Sequence, residues 1–585
     1  MGKTLLVALA LVVGASSSWS AQRLTAPPDD PGGAYYEFIL GLHLESQGDA
    51  TGATAAYQRA EKLDPQSAEI PAALAELYAR MNRPTEAIAA GERAVKANPS
   101  NPEANWILGS LYARMVDMPG STVRDADRQT YAQRAIANLA QANQNAHPGV
   151  PLMLGRLYLG VRQFDKAVSL LVPFVLDQPD NVEGVALLAE AYQGTGRDAD
   201  AVSLLERSVQ DSPELYSTLA ELYETSGRWN EAAKAYEAAV DDRPQSVPLR
   251  AQWATALLNA GDAKRAREVL EEGSVGSSRN IRALYLLAEA QRRTRDLAAA
   301  EVTARRLITL DPKSMAGPRE LALVFRDQGD HQKIVSLLEP LVSARFRAAD
   351  AAEISDEAFR GAYFDLASAY EALKQFDKAI GVLTQARTLS STDPLVAIRL
   401  ARTQVNAGKG DNAVATLQNA ATKFPDEPGV KLELASALER QKKYADAEAI
   451  FRKMIADDPT HADALNSFAY MLAERGQKLD ESVSLVERAL KLDPGNAAYL
   501  DSLGWAYYKQ NKFEQADPPL REAATKLPMV SVIQSHFGDV LNKRGLYQDA
   551  IDAWRRAIDG DGDSVSRSDL DDKIKSARQK LGKKK

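Results

Sequence analysis

The groups whose type and spacing come nearest to chemistry are five histidines, an aspartate cluster and one Gly-Thr-Gly triplet. The histidines His43, His147, His331, His461 and His536 are scattered. No two share the i, i+4 spacing that puts a pair of metal ligands on one helix face, so they read as partly exposed helix or turn residues. Asp559, Asp561 and Asp563 open like a calcium loop. The loop needs Gly at its sixth position and a bidentate Glu at its twelfth, and the chain has Ser564 and Leu570 there. Gly194-Thr195-Gly196 lies between helical patterns with no strand before it, so it is not a phosphate cradle. There is no Cys anywhere. That removes disulfides, thiol nucleophiles, thiolate metal sites and the lipid attachment of a bacterial lipoprotein. The expectation is no catalytic residue, no metal and no cofactor.

The elements that carry these residues are helical by composition. The chain has 585 residues, and 45% are hydrophobic, enough to build a core. Ala, Leu, Glu, Lys and Arg dominate, and alternating Val, Ile and Thr stretches are missing. The net charge is −8 and no long basic run occurs in the body. Nucleic acid needs clustered cations to neutralise phosphate and is therefore not an expected partner.

The N-terminus has the pattern of a leader. Lys3 supplies a positive charge, Leu5 to Val13 form a short apolar run, and Gly14 to Ser20 are mostly small and polar. The pattern predicts a secretory signal peptide over 1–20, cut after Ser20. Nine apolar residues fall short of the roughly 20 that a spanning helix needs. The expected location is outside the cytoplasm, in the periplasm or cell envelope, with no transmembrane helix after the leader. Residues 21–33, with Pro27, Pro28 and Pro31, read as a flexible linker.

Beyond that, prolines recur. Pro65 and Pro99 are 34 apart, as are Pro179 and Pro213, Pro425 and Pro459, and Pro494 and Pro528. Other positions keep the same phase. One unit carries Leu40, Gly41, Leu44, Ala53, Tyr57, Ala60 and Pro65; another carries Leu503, Gly504, Tyr507, Ala516, Leu520, Ala523 and Pro528. Small residues at the Gly41 and Ala53 positions let two helices approach closely. The large residue at the Tyr57, Tyr236 or Trp554 position is expected to fill the gap between neighbouring units. Gly48, Gly227 and Gly261 suit a left-handed helix end.

These residues resemble the tetratricopeptide-repeat family over 34–565. The resemblance implies an all-α fold: a right-handed superhelical solenoid of about 15 helix pairs, with 566–585 as a capping helix and basic tail. Interruptions of phase near 117–130, 271–280 and 343–357 read as insertions. The resemblance also implies a protein-binding scaffold, with partners lying on the surface lined by first helices. At the inward positions stand Asn466, Tyr470, Asp501, Trp505, Tyr508, Asp539 and Asn542 in the C-terminal part. In the N-terminal half Glu69, Glu76, Glu183, Glu190 and Glu221 would form an acidic inner wall, favouring a basic segment of a partner. Two other readings stay open: a glycan-directed enzyme with a cryptic site, and a spacer that docks through its outer face or inserts.

Overall fold

The computed structural model describes residues 31–117, 125–142, 147–273, 275–348, 357–562 and 565–584. Among them every regular element is a helix. The chain forms two compact units, Met1–Ala283 and Leu284–Lys585.

The first unit holds seven helix pairs. They are α1 (Pro31–Ser46) with α2 (Ala50–Leu63), α3 (Glu69–Arg80) with α4 (Pro84–Ala97), and α5 (Pro102–Asp117) with α6 (Asp125–Leu139). Next come α7 (Val150–Gly160) with α8 (Phe164–Asp177), and α9 (Val182–Gly194) with α10 (Asp198–Ser208). The last two are α11 (Tyr216–Thr225) with α12 (Trp229–Asp242) and α13 (Val247–Asn259) with α14 (Ala263–Glu272).

The second unit begins within α15 (Ile281–Arg293), which pairs with α16 (Leu297–Leu310). There follow α17 (Ala316–Gln328) with α18 (His331–Ala348), α19 (Glu357–Ala372) with α20 (Phe376–Leu389), and α21 (Pro394–Asn406) with α22 (Gly410–Lys423). Then come α23 (Pro428–Arg440) with α24 (Tyr444–Asp457) and α25 (Ala462–Glu474) with α26 (Leu479–Leu492). The array ends in α27 (Ala497–Lys509) with α28 (Phe513–Lys526), α29 (Ser531–Lys543) with α30 (Tyr547–Asp559), and a single helix α31 (Arg567–Lys584). The described residues thus hold 15 pairs, as the sequence period implies.

Local chemistry sets the boundaries. Gly48, Gly227 and Gly261 end first helices at φ of 82°, 68° and 88°, as expected. The next N–H then reaches back to close the helix, as in Asp262 N donating to Leu257 O at 2.8 Å. Asn82, Arg162, Arg295, Lys374, Lys442 and Asn511 hold the same left-handed conformation with a full side chain. The prolines at 65, 99, 425 and 459 each lie two residues past the last helical residue. There the missing N–H and fixed φ prevent continuation.

Packing corrects one expectation. The large residue of the second helix fills the groove within its own pair, not the gap to the next unit. A Cβ on Gly41 would fall 2.5 Å from the Tyr57 ring, and one on Gly538 would fall 2.5 Å from Trp554 Cδ1. Tyr57 donates to Glu45 at 2.6 Å and Tyr236 to Glu224 at 3.0 Å, again inside one pair. Between pairs, Ala and Leu dominate, and the core runs on from pair to pair, as from Ala397 to Tyr499.

The phase breaks have physical content. Across 271–280 the side chain of Val275, in a short 3₁₀ turn, is fully buried, so this break is pinned to the core. The described parts of the other two breaks, Asp117 with 125–130 and 343–348 with Glu357, are helical. Pro340 lies inside α18 and Pro518 and Pro519 inside α28, where they do not end the helix. Residues 1–30, which carry the expected leader and most of the expected linker, fall outside the described residues. Pro31 to Gly33, the rest of that linker, open α1. At the far end Leu570, Ile574 and Ala577 of α31 are buried with Trp554 and Leu541. They cover the apolar face that the last pair would otherwise expose.

Candidate functional site

Within the second unit the first helices α23, α25, α27 and α29 pack side by side, each against the next. Second helices of neighbouring pairs make no comparable contact among the described residues. The first helices therefore form a continuous row. Equivalent positions on α25, α27 and α29 recur at 34 or 35 residues: Tyr470, Trp505 and Asp539 in one line, Glu474, Lys509 and Lys543 in another.

These lines carry an aromatic and polar cluster. Trp505 is only 7% exposed and is not an open platform. The His536 ring stacks on it at 3.8 Å and the Tyr508 ring at 4.7 Å. Its indole N–H donates to a Glu474 carboxylate oxygen. The Lys509 ammonium sits 4.8 Å from its ring centroid. Asp501 is also buried, with Oδ1 3.0 Å from His536 Nδ1. Here the expectation for His536 is overturned: it is buried, because Trp505 and Asp501 on the neighbouring helix cover and pair it. Tyr470 is half-buried, its ring 6.3 Å from that of His536. Asp539 accepts from Trp554 Nε1 at 3.0 Å and pairs with Lys573 at 2.8 Å.

Two members of the row leave a hydrogen-bonding group unused. Asn466 Oδ1 and Asn542 Oδ1 are buried without a partner. Left without a donor, such a group costs about 1–3 kcal/mol. Asn542 lines an open cleft of about 560 Å³ with Tyr508, Asp539, Trp554, Asp572 and Lys573. Glu439 of α23 adjoins this region and was missed by sequence reasoning. Burial, with the charge of Glu474 adding to it, pushes its carboxyl up to about 7 against the pull of Arg440. No feature of the Leu438-Glu439-Arg440 stretch separates it from a solvated helix end; only the depth of packing does.

The five glutamates expected to form an acidic wall in the first unit differ in exposure. Glu69, Glu76, Glu190 and Glu221 are exposed and Glu183 is half-buried. Glu183 is neutralised by Arg156 of α7, whose Nε donates at 2.7 Å. Glu69 accepts from Ser67 Oγ at 3.0 Å and Glu221 from Gln252 Nε2 at 3.3 Å. Although the Glu76 side chain reaches solvent, partial desolvation and the charge of Glu103 raise its carboxyl above its ordinary range, while His147 pulls it down. His147 stacks on Trp106 at 4.4 Å and meets Glu103 at 2.9 Å. Its role is to bridge α5 and the stretch before α7.

The aspartate cluster after α30 is a clip between elements. Asp561 Oδ1 accepts from Ser531 N at 3.1 Å, and Gly562 N donates to Ser531 Oγ at 2.8 Å. Asp563 lies outside the described residues. Among the described residues no group of three or more His, Asp or Glu is placed to hold a metal ion. None of the described helices is long and apolar enough to cross a membrane.

Comparison with known proteins agrees with this geometry. Models described as "Tetratricopeptide repeat" match 152–215, 251–315, 398–462 and 470–528, then 44–115 and 223–274, and also 361–393. Together they take in about two thirds of the chain. The TPR repeat-containing protein PA4667 of Pseudomonas aeruginosa is 32% identical over 167 residues, 28% of each chain. Cellulose synthase operon protein C of Pseudomonas fluorescens is 26% identical over 156 residues, 27% of this chain and 11% of that protein. Cellulose synthase 2 operon protein C of Komagataeibacter xylinus is 29% identical over 160 residues, 26% of this chain and 12% of that protein. The chain thus spans little more than a quarter of the first relative and about a tenth of the other two.

Among solved structures, the Cut9–Hcn1 hetero-tetramer of the APC/C is similar at a TM-score of 0.34 and 14% identity, covering 86% of this chain and 95% of that one. Naa15/Naa10 bound to HypK-THB gives 0.35 and 17%, covering 95% and 92%. With the repeat models matching in phase along both units, and each match falling on observed helix pairs, the chain belongs to the tetratricopeptide repeat family.

Proposed function

We propose that this protein is an exported scaffold that holds an extended segment of a partner protein along the first-helix row of α23–α29, in a process of the cell envelope. The carrying observation is the pair of buried, unused acceptors, Asn466 Oδ1 and Asn542 Oδ1, on that row. An extended backbone offers N–H donors along its length, and each one that met such an oxygen would relieve its cost. Half-buried Tyr470 and Tyr508 beside them supply area at low entropic cost. Glu439 and Glu474 lie together at one end of the row, and Glu439 has its charge penalised by burial. A Lys or Arg of the partner placed there would lift that penalty, so the segment has a basic residue at that end.

Export is supported by the leader pattern of Lys3 and Leu5–Val13. The envelope setting is supported by two relatives named for cellulose synthase operons. A scaffold, not a catalyst, fits a site built from hydrogen-bond acceptors and rings.

The test places a photo-crosslinking residue at Tyr470, and a control one at Val302, which is 70% exposed on α16. Cells are irradiated and then fractionated. The expected result is the protein in the exported fraction, with one partner polypeptide linked through position 470 and not through 302. Asn466→Ala combined with Glu439→Gln should weaken capture at least tenfold. Retention in the cytoplasm would end the export reading. Undiminished capture by the double variant would end the site.

A further inference from the structure

Four residues hold one line across the first-helix row. Glu439, Ala473, Tyr508 and Asn542 occupy the same position of α23, α25, α27 and α29, 34 or 35 residues apart. Glu439 stands at one end, with a carboxylate that a nearby cation would favour. At the other end the line runs into the open cleft of about 560 Å³ lined from α27, α29, α30 and α31. The two ends share one chemistry. Asp539, Asp569 and Asp572 set three carboxylates on the cleft against the single ammonium of Lys573. Asp569 and Asp572 are exposed, and neither carboxylate has an ion pair among the described residues.

Acidic groups alone would be an ordinary solvated helix end. Two further observations point to a ligand. Asn542 Oδ1, at the cleft wall, is buried and accepts from no donor. Lys573 shows what the cleft takes: its ammonium lies 2.8 Å from Asp539 and 5.9 Å from the centroid of the Trp554 ring. A carboxylate beside an aromatic ring is a seat for an ammonium or guanidinium group. Lys573 is engaged with Asp539, so Asp569 and Asp572 are left for a second cation. Lys543, next to Asn542, lies over the Phe513 ring at 5.9 Å and is not part of the cleft wall. We infer that this cleft seats a basic side chain, and that the segment held on the row carries two such residues, one at each end of the line. The inference rests on the reading of the row as a partner-binding surface. The separation of the two follows from the geometry. From α23 to α29 there are three steps of about 8–10 Å each between packed helices. An extended chain advances about 3.3 Å per residue. The two basic residues are therefore about eight positions apart.

The probes are synthetic peptides, acetylated and amidated at their ends so that only side chains carry charge. Each is a spacer of Ser, Thr and Tyr holding a single Arg, or two Arg set about three, eight or thirteen positions apart. Binding to the intact protein is measured by calorimetry at low salt. The expected result is that the eight-spaced peptide binds at least tenfold more tightly than the single-Arg peptide and than either other spacing. Asp569→Asn combined with Asp572→Asn, both on exposed positions of α31, should bring it down to the single-Arg affinity with unchanged circular dichroism. Glu439→Gln should do the same from the other end of the line. Affinity indifferent to spacing, or undiminished by the α31 double variant, overturns the inference and leaves the row as a partner surface. Binding of none of the peptides, the single-Arg one included, ends the reading of the row and the inference with it.

Discussion

Trp554→Ala should destabilise the C-terminal end of the array by about 3–5 kcal/mol. The side chain is 1% exposed and fills the groove opposite Gly538. Its removal leaves a cavity among Leu541, Ala550, Ala553, Leu570 and Ile574, which share its buried cluster. The change also removes the indole N–H from Asp539, which keeps only Lys573. Units in such an array depend on their neighbours, so the loss is felt locally. The expected readout is early hydrogen exchange across α29, α30 and α31, while α23 to α26 keep their protection. Trp554→Phe keeps most of the apolar area and should cost far less. Uniform loss of protection along the second unit, or none at all, would contradict this account of how the end is held.

The second large effect is a pH dependence located at Glu439. Its folded carboxyl titrates at about 7, against 4.5 for the free group. The folded state therefore holds the proton more tightly than the unfolded chain. Below about pH 4.5 both states are protonated and there is no penalty. As pH rises from 4.5 to 7 the unfolded state ionises first and stability falls. Above 7 the loss is complete, at up to about 3 kcal/mol. Glu439→Gln removes the titration. In urea unfolding it should match the parent at pH 4 and exceed it by about 2–3 kcal/mol at pH 8. Parallel stability curves for the two proteins would show that Glu439 is not held in this state. A bound basic segment should reverse the sign at this site: it favours the ionised carboxylate, so capture should tighten with rising pH.

Much of the architecture was legible in the sequence because it depends on short-range spacing. Gly41 and Tyr57, Gly155 and Leu171, Gly504 and Leu520, and Gly538 and Trp554 all stand sixteen apart. That interval joins the middle of one helix to the middle of the next across a tight turn, so the pairs could be counted. The same spacing also says that the large residue packs within the pair, a point that a reading in terms of neighbouring units overlooked. Lateral contact between first helices was harder to read. Trp505 and His536 are 31 residues apart, and whether their rings stack or diverge depends on the pitch from one pair to the next. No single residue sets that pitch. For the same reason the burial of Asp501, the unused oxygens of Asn466 and Asn542, and the raised carboxyl of Glu439 could not be told from ordinary solvated positions. The break at 271–280 was visible as a loss of phase, but Val275 as its anchor was not.

A stack in which each hairpin packs chiefly on the next is also a length that can be edited. Adding or deleting one 34-residue module in the stretch α17–α22 would change the span of the second unit by one step. The chemistry carried by α23–α29 would be left as it is. Chains with different numbers of repeats could then keep the same local cluster while differing in length.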